Sequence, residues 1–130
     1  MNQALIQEAQ GKTHRILLIE DDSAIRSILL NALSFMGYTV TAAANGEEGL
    51  KLFLNDAFDL VVTDYKMPGM DGFALSSHIK EESPSTPIVL ITGCEKDVIE
   101  GKHEAQHFFD SVVFKPFSLS NIQNSIQELL

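Results

Sequence analysis

The stretch Asp59-Leu60-Val61-Val62-Thr63-Asp64-Tyr65-Lys66-Met67-Pro68-Gly69 decides how this chain is read. A short apolar run closes on a carboxylate and passes at once into a Pro-Gly turn. That pattern describes a buried strand with an acid at its carboxyl end, the edge at which open α/β sheets bind ligands. Three other apolar runs end in matching chemistry. Glu20-Asp21-Asp22 follows Ile16-Leu17-Leu18-Ile19, Thr92 follows Ile88-Val89-Leu90-Ile91, and Lys115-Pro116 follows Val112-Val113-Phe114.

Between these runs lie segments of helical period. Residues 23–36 carry Ile25, Ile28, Leu29, Ala32, Leu33 and Met36 at helical spacing, and Gly37 supplies a helix stop. A weaker strand covers residues 38–43. Asn45 is placed to cap a helix running to Asn55, with Glu48 at its third position and Leu50, Phe53 and Leu54 turned inward. Asp71 caps a helix over 72–82, and Ser83-Pro84-Ser85-Thr86-Pro87 is a loop. Residues 95–107 are weakly helical and interrupted by Gly101. Ser118 opens a last helix with Leu119, Ile122, Ile126, Leu129 and Leu130 on one face.

Apolar strands alternating with helices are parallel strands covered on both faces, and right-handed crossovers make them a three-layer α/β/α sandwich. The expectation is an α/β fold with a five-stranded parallel sheet. At 130 residues the chain has the length of one domain, and 45% apolar residues suffice for a core. Residues 1–14 read as a flexible leader and 15–130 as the folded unit.

The net charge of −9 and a pI near 4.7 argue against nucleic acid or an anionic membrane as direct partners. No apolar run is long enough to span a bilayer, and Met1 to His14 lack the apolar stretch of a signal peptide. Cys94 is the single cysteine, which excludes an internal disulfide and points to a reducing, cytoplasmic setting.

In a parallel sheet all strand ends share one side, so Glu20, Asp21, Asp64, Thr92 and Lys115 converge. Crowded carboxylates repel unless a cation intervenes, and an all-oxygen acidic site favours a hard ion such as Mg²⁺. An aspartate can be a nucleophile that forms an acyl phosphate. Mg²⁺ and Lys115 would balance charge on the transferred group, and Thr92 could donate a hydrogen bond to it. Taken singly, the acids are ordinary helix caps, Thr92 a turn hydroxyl and Lys115 a solvated lysine. Their joint arrival at the ends of strands one, three, four and five is what capping does not account for.

The segments Ile16 to Asp22, Val61 to Gly72, Ile91-Thr92-Gly93 and Phe114-Lys115-Pro116-Phe117 resemble the receiver domain of two-component response regulators, from about Arg15 to Leu130. The resemblance implies the flavodoxin-like strand order 2-1-3-4-5, which a chemotaxis regulator of this class shares. It implies that Asp64 accepts a phosphoryl group from a phosphohistidine on a sensor histidine kinase or a histidine phosphotransfer protein. It also implies that Asp21, Asp64 and the Lys66 carbonyl hold Mg²⁺, with Glu20 acting through water. Thr92 and Lys115 would contact the phosphoryl oxygens. The acidic pair of the family falls on Glu20 and Asp21, with Asp22 one position beyond. The same resemblance admits a homodimer through the fourth-helix, fifth-strand, fifth-helix face, and leaves the output partner open.

Three positions depart from the family pattern. Val112 stands where an aromatic residue usually moves with the hydroxyl at Thr92. Phe108 and Phe109 replace a common Gly-Ala, and the helix before them is polar. Weak coupling between phosphorylation and the fifth-strand face is the expectation, because Val112 has a small side chain with few rotamers. Lys66 and Cys94 are expected to slow hydrolysis by occupying the approach of an attacking water.

Rival readings fare worse. A haloacid-dehalogenase-type phosphatase wants a second aspartate two residues after the nucleophile, where this chain has Lys66. A nucleotide-binding protein or a flavodoxin wants a phosphate loop after the first strand, where three acids stand. The remaining alternative keeps the fold as a protein-interaction module without phosphorylation.

Overall fold

The structure is a computed structural model describing residues 13–93 and 108–130. Residues 1–12 of the leader read over 1–14, the helix read over 95–107 with Gly101, and Cys94 lie outside those residues. In chain order the described elements are β1 (Arg15–Ile19), α1 (Ser23–Phe35), β2 (Thr39–Ala43), α2 (Gly46–Asn55), β3 (Leu60–Asp64), α3 (Gly72–Glu82), β4 (Ile88–Thr92), β5 (Ser111–Phe114) and α4 (Leu119–Leu129). The five strands form one parallel sheet in the order β2-β1-β3-β4-β5.

Alternation along the central strands splits the core in two. Ile16 and Leu18 of β1, Val62 of β3, Val89 and Ile91 of β4 and Val113 of β5 pack with Leu29 and Leu33 of α1 and Ile122 and Ile126 of α4. On the other face Leu17, Ile19, Val61 and Ile88 pack with Phe53 of α2 and Leu75 and Ile79 of α3. Strands buried on both faces carry no polar alternation, which is why β3 and β4 read as unbroken apolar runs.

Local signals set the helix ends. Asp22 caps α1 by accepting from the N–H groups of Ala24 and Ile25, and Asp71 caps α3 by accepting from Ala74 N. Gly37, at φ 103°, closes α1: its N–H donates to Ser34 O, and the Tyr38 N–H to Leu33 O. That pair of bonds is the Schellman arrangement. Glu48 reaches back from α2 as expected, but its carboxylate accepts from Ala44 N, one residue before the Asn45 cap.

Four apolar residues assigned inward are exposed. Ile28 is 56% exposed, Leu54 53%, Leu119 42% and Leu130 40%. Ile28 and Leu54 each neighbour a buried residue, Leu29 and Phe53, and one helical residue is a rotation of about 100° away from the sheet. Leu119 and Leu130 sit at the two ends of α4, beyond the stripe that Ile122 and Ile126 press against the strands. Leu50 is half-buried, and small buried residues of α2, Gly46 and Gly49, take places the apolar pattern did not mark.

Candidate functional site

Glu20 follows β1 directly, and its N–H donates to Ala43 O at the end of β2. The chain then turns into α1, so Glu20 and Asp21 stand at the carboxyl edge of the sheet. Glu20 is only 1% exposed, and one of its oxygens, Oε2, accepts from Asp22 N at 3.0 Å. The other, Oε1, is buried without a hydrogen-bond partner. Burial pushes the Glu20 carboxyl up to about 7, the Asp22 N–H pulls against that shift, and the Asp64 charge adds to it. A buried acceptor left unmatched is costly, and it marks a place suited to a further ligand.

Asp64 is the last residue of β3 and is 6% exposed. Its Oδ1 accepts from Tyr65 N at 2.9 Å, and its Oδ2 lies 3.2 Å from Lys115 Nζ. Lys115 follows β5 and is tied to the neighbouring strand by its N–H, which donates to Thr92 O at 2.8 Å. Glu20, Asp21 and Asp64 each offer a carboxylate oxygen, and these oxygens all lie within 4.8 Å of one another. Asp21 is exposed, so the cluster opens to solvent on that side. Three carboxylates with one unmatched buried oxygen form an all-oxygen donor set that fits a hard divalent cation.

Thr92 is the buried last residue of β4, one position past Ile91, which pairs with Asp64 in the ladder. Lys66 is an exposed residue of the loop leaving β3. That loop closes tightly: the Gly72 N–H donates to Tyr65 O at 2.7 Å, and a side chain at Gly72 would collide with Asp64 O. Met67, by contrast, is buried in the core beneath it.

The structure thus brings together Glu20, Asp21, Asp64 and Lys115 by direct proximity, with Thr92 on the adjoining strand end. Two contributors escaped the sequence reading. Arg26 of α1 donates to Glu20 O at 2.8 Å and reaches Asp21 O at 3.5 Å, holding the backbone of the acidic turn. Glu47 of α2 accepts from Met70 N in the β3–α3 loop. A cation four residues after a cap and an acid in a helical first turn are both common on exposed faces, so neither carried a signal. Val112 is half-buried and pairs with Leu90, Phe108 lies 5.4 Å from the Phe73 ring, and Phe109 packs against the second core cluster.

The family model for the response regulator receiver domain matches residues 16–127. This chain belongs to that family. It is 37% identical over 126 residues to a probable transcriptional regulator, ycf27, of Cyanidium caldarium, covering 96% of this chain and 50% of that protein. It is 34% identical over 118 residues to the transcriptional regulatory protein RprY of Bacteroides fragilis, covering 89% of this chain and 49% of that one. The receiver domain therefore spans about half the length of these curated relatives.

Among solved structures, the response regulator TrrA of Thermotoga maritima in complex with Mg²⁺ and BeF superimposes with a TM-score of 0.84 at 30% identity. That match covers 91% of this chain and 100% of the other. The chemotaxis response regulator CheY4 of Vibrio cholerae gives a TM-score of 0.82 at 28% identity, over 92% and 100% of the two chains. The fold is the flavodoxin-like one of chemotaxis-type receivers, and the chain is a receiver domain of two-component signalling. Its acidic cluster is consistent with a phosphoacceptor site. No helix among the described residues is long and apolar enough to cross a membrane.

Proposed function

We propose that Asp64 is the residue phosphorylated in this receiver domain, with a phosphohistidine of a sensor kinase or phosphotransfer protein as donor. The observation that carries this reading is the convergence of the Glu20, Asp21 and Asp64 oxygens within 4.8 Å, with Lys115 Nζ against Asp64. An Asp64 carboxylate oxygen attacks phosphorus as the P–N bond of the donor breaks. With the other ring nitrogen protonated, imidazole leaves as a neutral base.

Lys115 balances charge on the phosphoryl oxygens, and the Thr92 hydroxyl donates to one of them after transfer. Asp21, Asp64 and the Lys66 carbonyl would hold Mg²⁺ directly, and Glu20, with its unmatched Oε1, would hold a water of that ion. Bound there, the ion supplies positive charge that lets a phosphate dianion approach three carboxylates. The TrrA structure with Mg²⁺ and BeF supports the assignment by likeness of fold.

Incubation with Mg²⁺ and acetyl phosphate, followed by intact-mass measurement, tests the proposal. Wild type should gain one phosphate and Asp64→Asn none. An unmodified wild-type chain would favour a binding module instead, and an Asp64→Asn chain labelled at the wild-type rate would move the site elsewhere.

A further inference from the structure

We propose that the outer face of α1 docks a second copy of this chain, with the two helices packed antiparallel. The proposal goes beyond the phosphoacceptor reading and does not depend on it.

Ala24, Ile28, Asn31 and Phe35 are all exposed and follow one another at intervals of four, three and four residues. That spacing lines them up on one side of the helix, opposite the Leu29 and Leu33 stripe that enters the core. Phe35 is 93% exposed and Ile28 56%, so the seam holds two large apolar side chains out to solvent. Apolar surface grouped in this way marks a contact, whereas single exposed residues do not.

Charge selects the occupant. The chain carries a net charge of −9, so two copies repel wherever their acidic faces meet. α2 carries Glu47, Glu48 and Lys51, and α3 carries Lys80, Glu81 and Glu82. α1 has one charged residue, Arg26, and its guanidinium bonds Glu20 O away from the seam. α4, on the same side of the sheet as α1, has only Glu128. In this layer two acidic chains can meet without setting like charge against like.

Shape sets the direction. The seam is narrow at Ala24 and bulky at Phe35. An antiparallel pair sets each Phe35 against Ala24 of the other copy, and each Ile28 against Asn31, in a self-complementary two-fold contact. A parallel pair would crowd Phe35 on Phe35 and leave a gap between the alanines. Antiparallel packing also runs the helix dipoles head to tail. The 13 residues of α1 span about 20 Å, and with α4 alongside the face is roughly 400 Å² in projection. That is small beside a standard interface, so the expected dissociation constant is on the order of 10⁻⁴ M.

Sedimentation equilibrium of the full chain, from about 10 μM to about 1 mM so as to bracket that constant, tests this. The average mass should rise from 14.3 kDa toward twice that value. Ala24→Lys and Phe35→Glu should each weaken association about tenfold. The double variant should associate about fivefold more tightly than either, because antiparallel packing brings the new ammonium against the new carboxylate at both ends. Leu54→Ser, at an exposed apolar residue of α2, should leave association unchanged. A wild type that stays monomeric throughout would overturn the proposal and leave the seam to a helix of another protein. A double variant no tighter than the single ones would overturn the antiparallel direction. Association lost in Phe114→Ser but kept in Phe35→Glu would overturn the α1 seam in favour of β5.

Discussion

The two edges of the sheet are both charged, and they treat charge in opposite ways. At the amino edge every prominent charge has found a partner. The Arg15 guanidinium meets Asp56 in two hydrogen bonds, of 2.8 and 2.6 Å, and holds that carboxyl down at about 2. Lys80 Nζ bonds Thr86 O at 2.7 Å and Asp110 Oδ2 at 2.9 Å, and Asp110 also accepts from Ile88 N. At the carboxyl edge, among the described residues, three carboxylates gather beside the Lys115 ammonium, and a buried oxygen of Glu20 has no hydrogen-bond partner. Charge alone therefore does not mark a site in this molecule. Charge left uncompensated at a buried position does, because folding tolerates such a cost where a ligand will offset it.

The contrast is sharpest at the two lysines. Lys115→Ala should lower the rate of phosphorylation from acetyl phosphate by about 10²-fold, the usual loss when one charge-stabilising donor is removed, while leaving the unfolding midpoint nearly unchanged. Single-turnover labelling and urea denaturation measure the two effects separately. A large stability loss with little change in rate would make Lys115 the same kind of structural cation as Lys80.

Breaking the amino edge should instead cost stability. Asp110→Ala removes the partner of a mostly buried ammonium and the acceptor of the Ile88 N–H at once. The expected loss is about 2–3 kcal/mol in urea denaturation, the range for stranding a buried donor or charge. A loss below about 0.5 kcal/mol would mean that this edge is held by packing alone.

Glu20 gives the comparison a pH dependence. Burial raises its carboxyl to about 7 in the folded chain, against an ordinary value of 4.5. Between those values the native state holds more protons than the unfolded state, so its stability falls as pH rises. The contribution is complete below the unfolded value and lost as pH passes through about 7. Urea midpoints of wild type should therefore decline relative to Glu20→Gln between pH 5 and pH 8. Excess Mg²⁺, which favours the carboxylate, should reduce that decline. A wild-type midpoint that stays level with Glu20→Gln over the same range would mean the group is ionised throughout.

The smallest effect belongs to the exposed Arg15–Asp56 pair. Asp56→Asn should shift the midpoint only slightly, and by less still in high salt, since exposed pairs are screened. A shift as large as that of Asp110→Ala would show that the whole amino edge acts as one network.

Much of the site was legible because a parallel sheet converts sequence into position. Residues that end apolar runs must share an edge, so Glu20, Asp21, Asp64, Thr92 and Lys115 could be grouped from their spacing before any contact was known. The fold followed from the same runs. The errors lay where direction around a helix mattered: Ile28 and Leu54 satisfied an apolar period but sit one residue off the buried stripe. Phe108 and Phe109 stand out in the sequence only as a departure from a common Gly-Ala. Both turn partly inward, Phe108 beside Phe73 and Phe109 against the second core cluster.

What the sequence determined by itself was the order of strands and helices, their caps, and the identity of the chemistry at each strand end, since these depend on local pattern and on the geometry common to all parallel sheets. What only the tertiary structure decided was which charges are compensated. Lys80 and Lys115 are both lysines near the end of an element, yet one is surrounded by acceptors and the other faces an acidic cluster. Arg26 and Glu47 likewise gain their roles from backbone groups on other segments, Glu20 O and Met70 N. Compensation is a sum over neighbours brought together by packing, many of them backbone amides and carbonyls that every residue carries alike, and no spacing along the chain records it.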